Sequence, residues 1–169
     1  KRSYVAMLKE NGYKDIDKDN IIPMAALDIN EAYIKSIKSA IPGISMEDLV
    51  PFRSLGIDKA YIDEIKKAGY PNVSADKLIT FKAQGIDGKY IADFRTSNKN
   101  ENTMSNNNNQ NNVNAGTENN NDNDDDGDAI VSYKSLGITA DYVQSIKTAG
   151  IEGVTSENIV SMKALGITP

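Results

Sequence analysis

The chain has 169 residues, 39% of them hydrophobic, and a formal net charge of −5, with no Cys, His or Trp. Without Cys and His it offers no thiol nucleophile, no imidazole acid–base group and no Cys/His zinc site. The negative charge is local: residues 98–128 hold fourteen Asn and seven acids against one Lys. The remainder is near neutral, which argues against a surface that tracks phosphates.

A tyrosine followed by Val or Ile recurs at Tyr4, Tyr33, Tyr61 and Tyr90, at spacings of 29, 28 and 29 residues. A fixed period in this range marks stacked repeats, each burying its apolar face against its neighbours. The expected fold is all-α: helix pairs of 28–29 residues stacked as an α-solenoid.

In the first unit, Gly12 stops the first helix and Asp17 caps the second, which carries Ile21, Ile22, Met24 and Leu27 before the hinge at Ile29. Asp28 stands where later units have Gly, a weaker stop. Asp15, Asp17 and Asp19 alternate like calcium ligands, but Asn20 replaces the loop's Gly and Ala26 its closing Glu. Pro23 and its counterpart Pro51 fall inside the second helical pattern, where Pro removes a hydrogen bond. They predict an irregular or 3₁₀ first turn, regular helix from the Pro onward and uneven helix lengths.

The second and third units repeat the scheme. Asn30 and Asp58 cap first helices whose apolar sets are Tyr33, Ile34, Ile37, Ala40 and Tyr61, Ile62, Ile65, Ala68. Ser45 and Ser74 cap second helices carrying Leu49, Val50, Phe52, Leu55 and Leu78, Ile79, Phe81. Gly56 and Gly85 precede the hinge residues Ile57 and Ile86. Ser74 also opens a Ser-x-x-Lys with Lys77, but the other elements of a penicillin-binding site are missing, so it reads as a cap. The hinge Leu55-Gly56-Ile57-Asp58 resembles a helix-hairpin-helix nucleic-acid element. An Asp follows the Ile where that element has a second Gly, and an Asp repels phosphate.

The fourth unit begins at Asp87 and Tyr90 and is then interrupted. Tyr90 to Tyr142 spans 52 residues, 23 more than Tyr61 to Tyr90. Residues 98–128 have too few apolar side chains to offset the entropy of ordering. The reading is helical repeats over 1–97, a long disordered loop inside a repeat over 98–128, and repeats again over 129–169. The alternative is a linker between two separate blocks. Aligning Phe81 with Tyr133 puts Asp126 at the cap. Asp122 to Gly127 has calcium-like spacing, yet its twelfth position is Tyr133. The last unit runs from Thr139 through Tyr142, Val143, Ile146 and Ala149 to Gly150, then from Thr155 to Gly166-Ile167. With no initial Met and a last unit followed directly by Thr168-Pro169, the chain reads as a fragment of a larger protein.

No run of 18 apolar residues is present, so no membrane span is expected. No Ser, Lys or carboxylate pair stands out as catalytic, and no metal or cofactor motif is found. In-phase cations Lys38, Lys66, Arg95 and Lys147 form a candidate partner-binding stripe. A second series, Arg53, Lys82, Lys134 and Lys163, aligns in the second helices. Interspersed acids such as Asp63 and Glu64 favour a solvated face for both. The tyrosines read as core, each hydroxyl reaching the edge.

The string Leu55-Gly56-Ile57-Asp58, Tyr61-Ile62, Ile65-Lys66, Ala68-Gly69-Tyr70 and Ser74, repeated from Lys134 to Gly150 and Ile159 to Thr168, resembles repeats of bacterial envelope regulators. These are the non-cytoplasmic tails of antirepressor, beta-lactam-sensor-type membrane metallopeptidases, chiefly of the Bacteroidota. The resemblance implies a repeat tail on the periplasmic side of the inner membrane, in a parent that is membrane-anchored. It does not carry over proteolysis, whose motif needs two His. The expected function is a non-enzymatic protein- or peptide-binding, sensing or spacer module with no cofactor. A nucleic-acid-binding repeat is the alternative.

Overall fold

The computed structural model describes residues 3–99, 123–151 and 154–168. Among these the chain is all-α, ten helices with no strand. It divides into two compact units, Lys1–Gly88 and Lys89–Pro169. The first holds three helix pairs: α1 (Tyr4–Glu10) with α2 (Lys18–Ala26), α3 (Glu31–Ala40) with α4 (Met46–Leu55), and α5 (Lys59–Lys67) with α6 (Ala75–Ala83). The second is built from α7 (Gly88–Lys99), α8 (Asn123–Ser135), α9 (Ala140–Thr148) and α10 (Ser156–Ala164).

Helices this short are marginal alone and must be held by burial. Successive pairs stack like on like: α3 packs on α5, α2 on α4, α4 on α6 and, in the second unit, α8 on α10. Leu8, Met24, Ile34, Ile37, Leu49, Phe52, Ile62, Ile65, Leu78 and Phe81 are fully buried in the first unit. Ile91, Phe94, Ile130, Tyr133, Val143, Ile146 and Ile159 form the core of the second. Each large side chain contributes roughly 1.5–3 kcal/mol. Among the described residues no polar or charged one is buried, so the core demands no ion pairing.

Side-chain oxygens start the helices. Asn30, Asp58 and Thr139 accept from the N–H of Tyr33, Tyr61 and Tyr142. Asp17, Ser45, Ser74 and Thr155 do the same for Asn20, Asp48, Lys77 and Asn158. Asp17 and Ser74, the residues of the false calcium and Ser-x-x-Lys signals, are therefore spent as caps.

The prolines behave differently from the sequence expectation. α2 and α4 run as unbroken α-helix from Lys18 and Met46 through Pro23 and Pro51. Their lengths of 9 and 10 residues match the 9 of α6 and α10. Each Pro removes the bond to a carbonyl four residues back, at Asp19 or Glu47. Both residues are exposed in a capped first turn, where solvent rather than a buried group faces the freed backbone, so the cost of the lost bond is small.

The flanks of the insertion also differ. α7 continues to Lys99 and α8 starts at Asn123, so Asp126 lies within helix and not at its cap. Residues 100–122 lie outside the described residues, as do the side chains that begin the calcium-like spacing at Asp122.

Every second helix ends in the same hydrogen-bonded turn. The hinge Ile N–H reaches back to the carbonyl of Met24, Phe52, Phe81, Tyr133 or Met162, at 2.7–2.9 Å. The residue before it donates to Ala25, Arg53, Lys82, Lys134 or Lys163. This is a Schellman stop, and it needs a left-handed residue. Gly56, Gly85, Gly137 and Gly166 supply it with φ of 63–72°, and Asp28 is forced to φ 52°. Replacing Asp28 by Gly relieves that backbone and is expected to raise stability by about 1 kcal/mol. Urea melts check this, with an unchanged or lower midpoint counting against it.

Candidate functional site

The tyrosine series is the most regular polar feature of the chain. Each hydroxyl donates to the hinge Ile carbonyl of its own helix pair: Tyr4 to Ile29 at 2.7 Å, Tyr33 to Ile57 at 2.8 Å, Tyr61 to Ile86 at 2.7 Å and Tyr142 to Ile167 at 2.7 Å. Tyr90 reaches Ile138 at 3.1 Å, bridging the insertion in the same way. The sequence carried a signal for this that the apolar pattern hides: Tyr and hinge Ile stand 24 or 25 residues apart in every uninterrupted copy.

The second basic series belongs to the same device. Arg53, Lys82, Lys134 and Lys163 hold their cations 4.2–4.9 Å from the ring centroids of Tyr33, Tyr61, Tyr90 and Tyr142. A cation at this range over an aromatic face contributes about 0.5–1 kcal/mol when exposed. Arg53 also donates from Nε to the carbonyl of Leu27 at 3.0 Å, tying the second pair to the first.

Lys38 donates to the carbonyl of Asn11 while its ammonium lies 4.3 Å from the Tyr13 ring centroid. Lys66 donates to the carbonyl of Ala40 at 2.6 Å. Both ammonium groups serve the open C-terminal carbonyls of the preceding first helix, where positive charge is favoured. Arg95 and Lys147 line a cavity of about 440 Å³ in the second unit. Phe94 and Arg95 come from α7, Ala129, Ile130 and Tyr133 from α8, Val143 and Lys147 from α9, and Val154, Ser156 and Ile159 from α10 and its approach. Phe94 packs on Tyr90 and Tyr133 with centroids 5.0 and 5.2 Å apart, which stiffens one wall. In the first unit the interhelix turns contribute buried Tyr13, Ile44 and Tyr70.

The hinges spend the groups that a nucleic-acid reading requires. The N–H groups of Gly56, Ile57, Gly85 and Ile86 are bonded within their own turns. Gly88, at the start of α7, donates to Glu64 Oε1 at 2.9 Å, so a carboxylate already occupies that position. No three acidic side chains among the described residues come together to hold a metal. Compared with protein-family models, with curated proteins and with solved structures, the chain matches none.

Burial pushes the Tyr13, Tyr33 and Tyr90 hydroxyls up to about 12, helped by Asp48 at Tyr13 and by Tyr133 at Tyr90. At Tyr33 Arg53 opposes the rise and Asp58 adds to it. Tyr61 and Tyr4 are raised by burial too, with Glu64 and Asp87 near the first and Asp28 near the second. A raised folded value means that the stabilisation is complete below the unfolded value near 10 and is lost as pH rises towards 12. The chain is therefore expected to unfold between about pH 10 and 12, with phenolate absorbance and loss of helix rising together. Phenolate formation well below the loss of helical circular dichroism would contradict it.

Proposed function

We propose that the chain is a non-enzymatic interaction module, a helical-repeat scaffold that offers the cleft of its second unit to a protein or peptide. The observation that carries this reading is the placement of Arg95 and Lys147 around one cavity with Phe94, Ile130, Tyr133 and Ser156, where the regular repeat is interrupted. The volume lies within the range of about 300–1,000 Å³ usual for ligand sites. A lining that mixes apolar side chains with two cations suits a peptide segment carrying an aliphatic or aromatic side chain beside a carboxylate.

The repeat string places the module, on this reading, in the periplasmic part of a membrane-anchored envelope regulator, where it senses or positions a partner. No helix among the described residues is long and apolar enough to cross a membrane, so anchoring would be supplied elsewhere in such a parent. The bonded hinge N–H groups and the Glu64 carboxylate at Gly88 favour a peptide over a nucleic acid.

A peptide array probed with the 169-residue chain tests the reading. Acidic peptides with a bulky apolar residue are expected to be enriched. The double substitution Arg95→Ala, Lys147→Ala is expected to weaken them by about tenfold or more while helical circular dichroism is retained. Enrichment indifferent to both substitutions, or none, would overturn the reading. Binding of an oligonucleotide that collapses steeply with added salt would favour the nucleic-acid alternative.

A further inference from the structure

The second helices of the first unit have two faces, and folding accounts for only one. Leu49 and Phe52 of α4, with Leu78 and Phe81 of α6, are fully buried and make the core. Away from them lie Glu47, Val50 and Ser54 of α4 and Asp76, Ile79 and Ala83 of α6. The spacing i, i+3, i+7 sets each trio on one helix face. The outer members of each trio are exposed, and the aliphatic residue between them is half-buried. α4 packs on α2 at one side and α6 at the other, so this partial exposure belongs to the stacked helices themselves. A first-turn acid suits the helix dipole. The aliphatic residue has no such local reason, because β-branched side chains are weaker helix formers than Ala, Lys or Gln. It nevertheless recurs at this position of α2, α4, α6, α8 and α10, as Ile22, Val50, Ile79, Val131 and Val160.

The polar groups around Val50 and Ile79 show what this face can accept. Ser54 donates to the Val50 carbonyl at 2.8 Å and Thr80 to the Asp76 carbonyl at 3.0 Å, so both hydroxyls are spent inside their helices. Arg53 and Lys82, on the flank, lie over the rings of Tyr33 and Tyr61. The i,i+4 ion pairs of the first unit use Glu31 and Asp63 on first helices, and none among the described residues uses Glu47 or Asp76. We propose that the α4–α6 face centred on Val50 and Ile79 binds an extended basic peptide segment, its cations on Glu47 and Asp76 and its apolar side chains over the aliphatic pair. Charge selects this occupant, since the carboxylates repel both a nucleic acid and an acidic peptide. Geometry sets its register. Packed helix axes lie roughly 8–10 Å apart and an extended chain advances about 3.3 Å per residue, so a cation at every third residue meets successive carboxylates. The face contains neither Arg95 nor Lys147, and its ligand is opposite in charge to that of the cleft.

Fluorescence anisotropy with a labelled peptide of about four Lys-Leu-Ser triplets tests the proposal. The comparison peptide has the same composition with all its lysines gathered at one end. The triplet peptide is expected to bind about tenfold more tightly than the gathered one. Glu47→Gln with Asp76→Asn, both at exposed positions, should keep helical circular dichroism and weaken the triplet peptide by about tenfold or more. Val50→Ala with Ile79→Ala should weaken it as well, whereas Arg95→Ala with Lys147→Ala should leave it unchanged. Absence of binding overturns the proposal. So does equal binding of the two peptides, which would mean charge attraction without register, or binding indifferent to the α4–α6 substitutions.

Discussion

The hydrogen bond from each first-helix tyrosine to the hinge carbonyl at the end of its own pair is the constraint from which the rest follows. A Schellman turn consumes the hinge Ile N–H and leaves its carbonyl facing the first helix, where no backbone donor is available. The phenol supplies that donor across 24 or 25 residues of chain, and its ring offers a face to the cation of the second helix. Both ends of an otherwise weak helix pair are thereby joined by a neutral group. This explains how the described core does without buried charge.

Because that device recurs, most polar groups that look available on the sequence are internal fittings. Arg53 and Lys82 cover tyrosine rings, and Lys38 and Lys66 close helix ends. Asp17, Asp58 and Ser74 cap helices. Function is then best sought where the pattern breaks. The α7–α8 pair is such a place, since a long insertion separates its helices and a cavity adjoins both.

Much of the architecture was legible because it depends on short-range chemistry. Caps at Asn30, Asp58 and Thr139, stops at Gly56 and Gly85, and apolar sets such as Tyr61, Ile62 and Ile65 each announce a local event. Pro23 and Pro51 misled because a propensity argument counts a lost hydrogen bond without asking whether water reaches the orphaned carbonyl. The start of α8 at Asn123 was hidden by composition, because an acidic, Asn-rich run reads as loop. The destination of each side chain was the least legible. That Lys66 bonds to the Ala40 carbonyl, and that Arg95 and Lys147 stand beside a cavity, depends on tertiary packing that no local pattern encodes.

Native-state hydrogen exchange at the Ile86 amide, compared between the parent and Tyr61→Phe, tests the tyrosine–hinge constraint most directly. Losing the bond to the Ile86 carbonyl should free the hinge to open by about 1 kcal/mol, roughly a fivefold loss of protection. Amides inside α3 should remain as slow as before. An Ile86 amide whose exchange does not change when the phenol oxygen is removed would contradict the account.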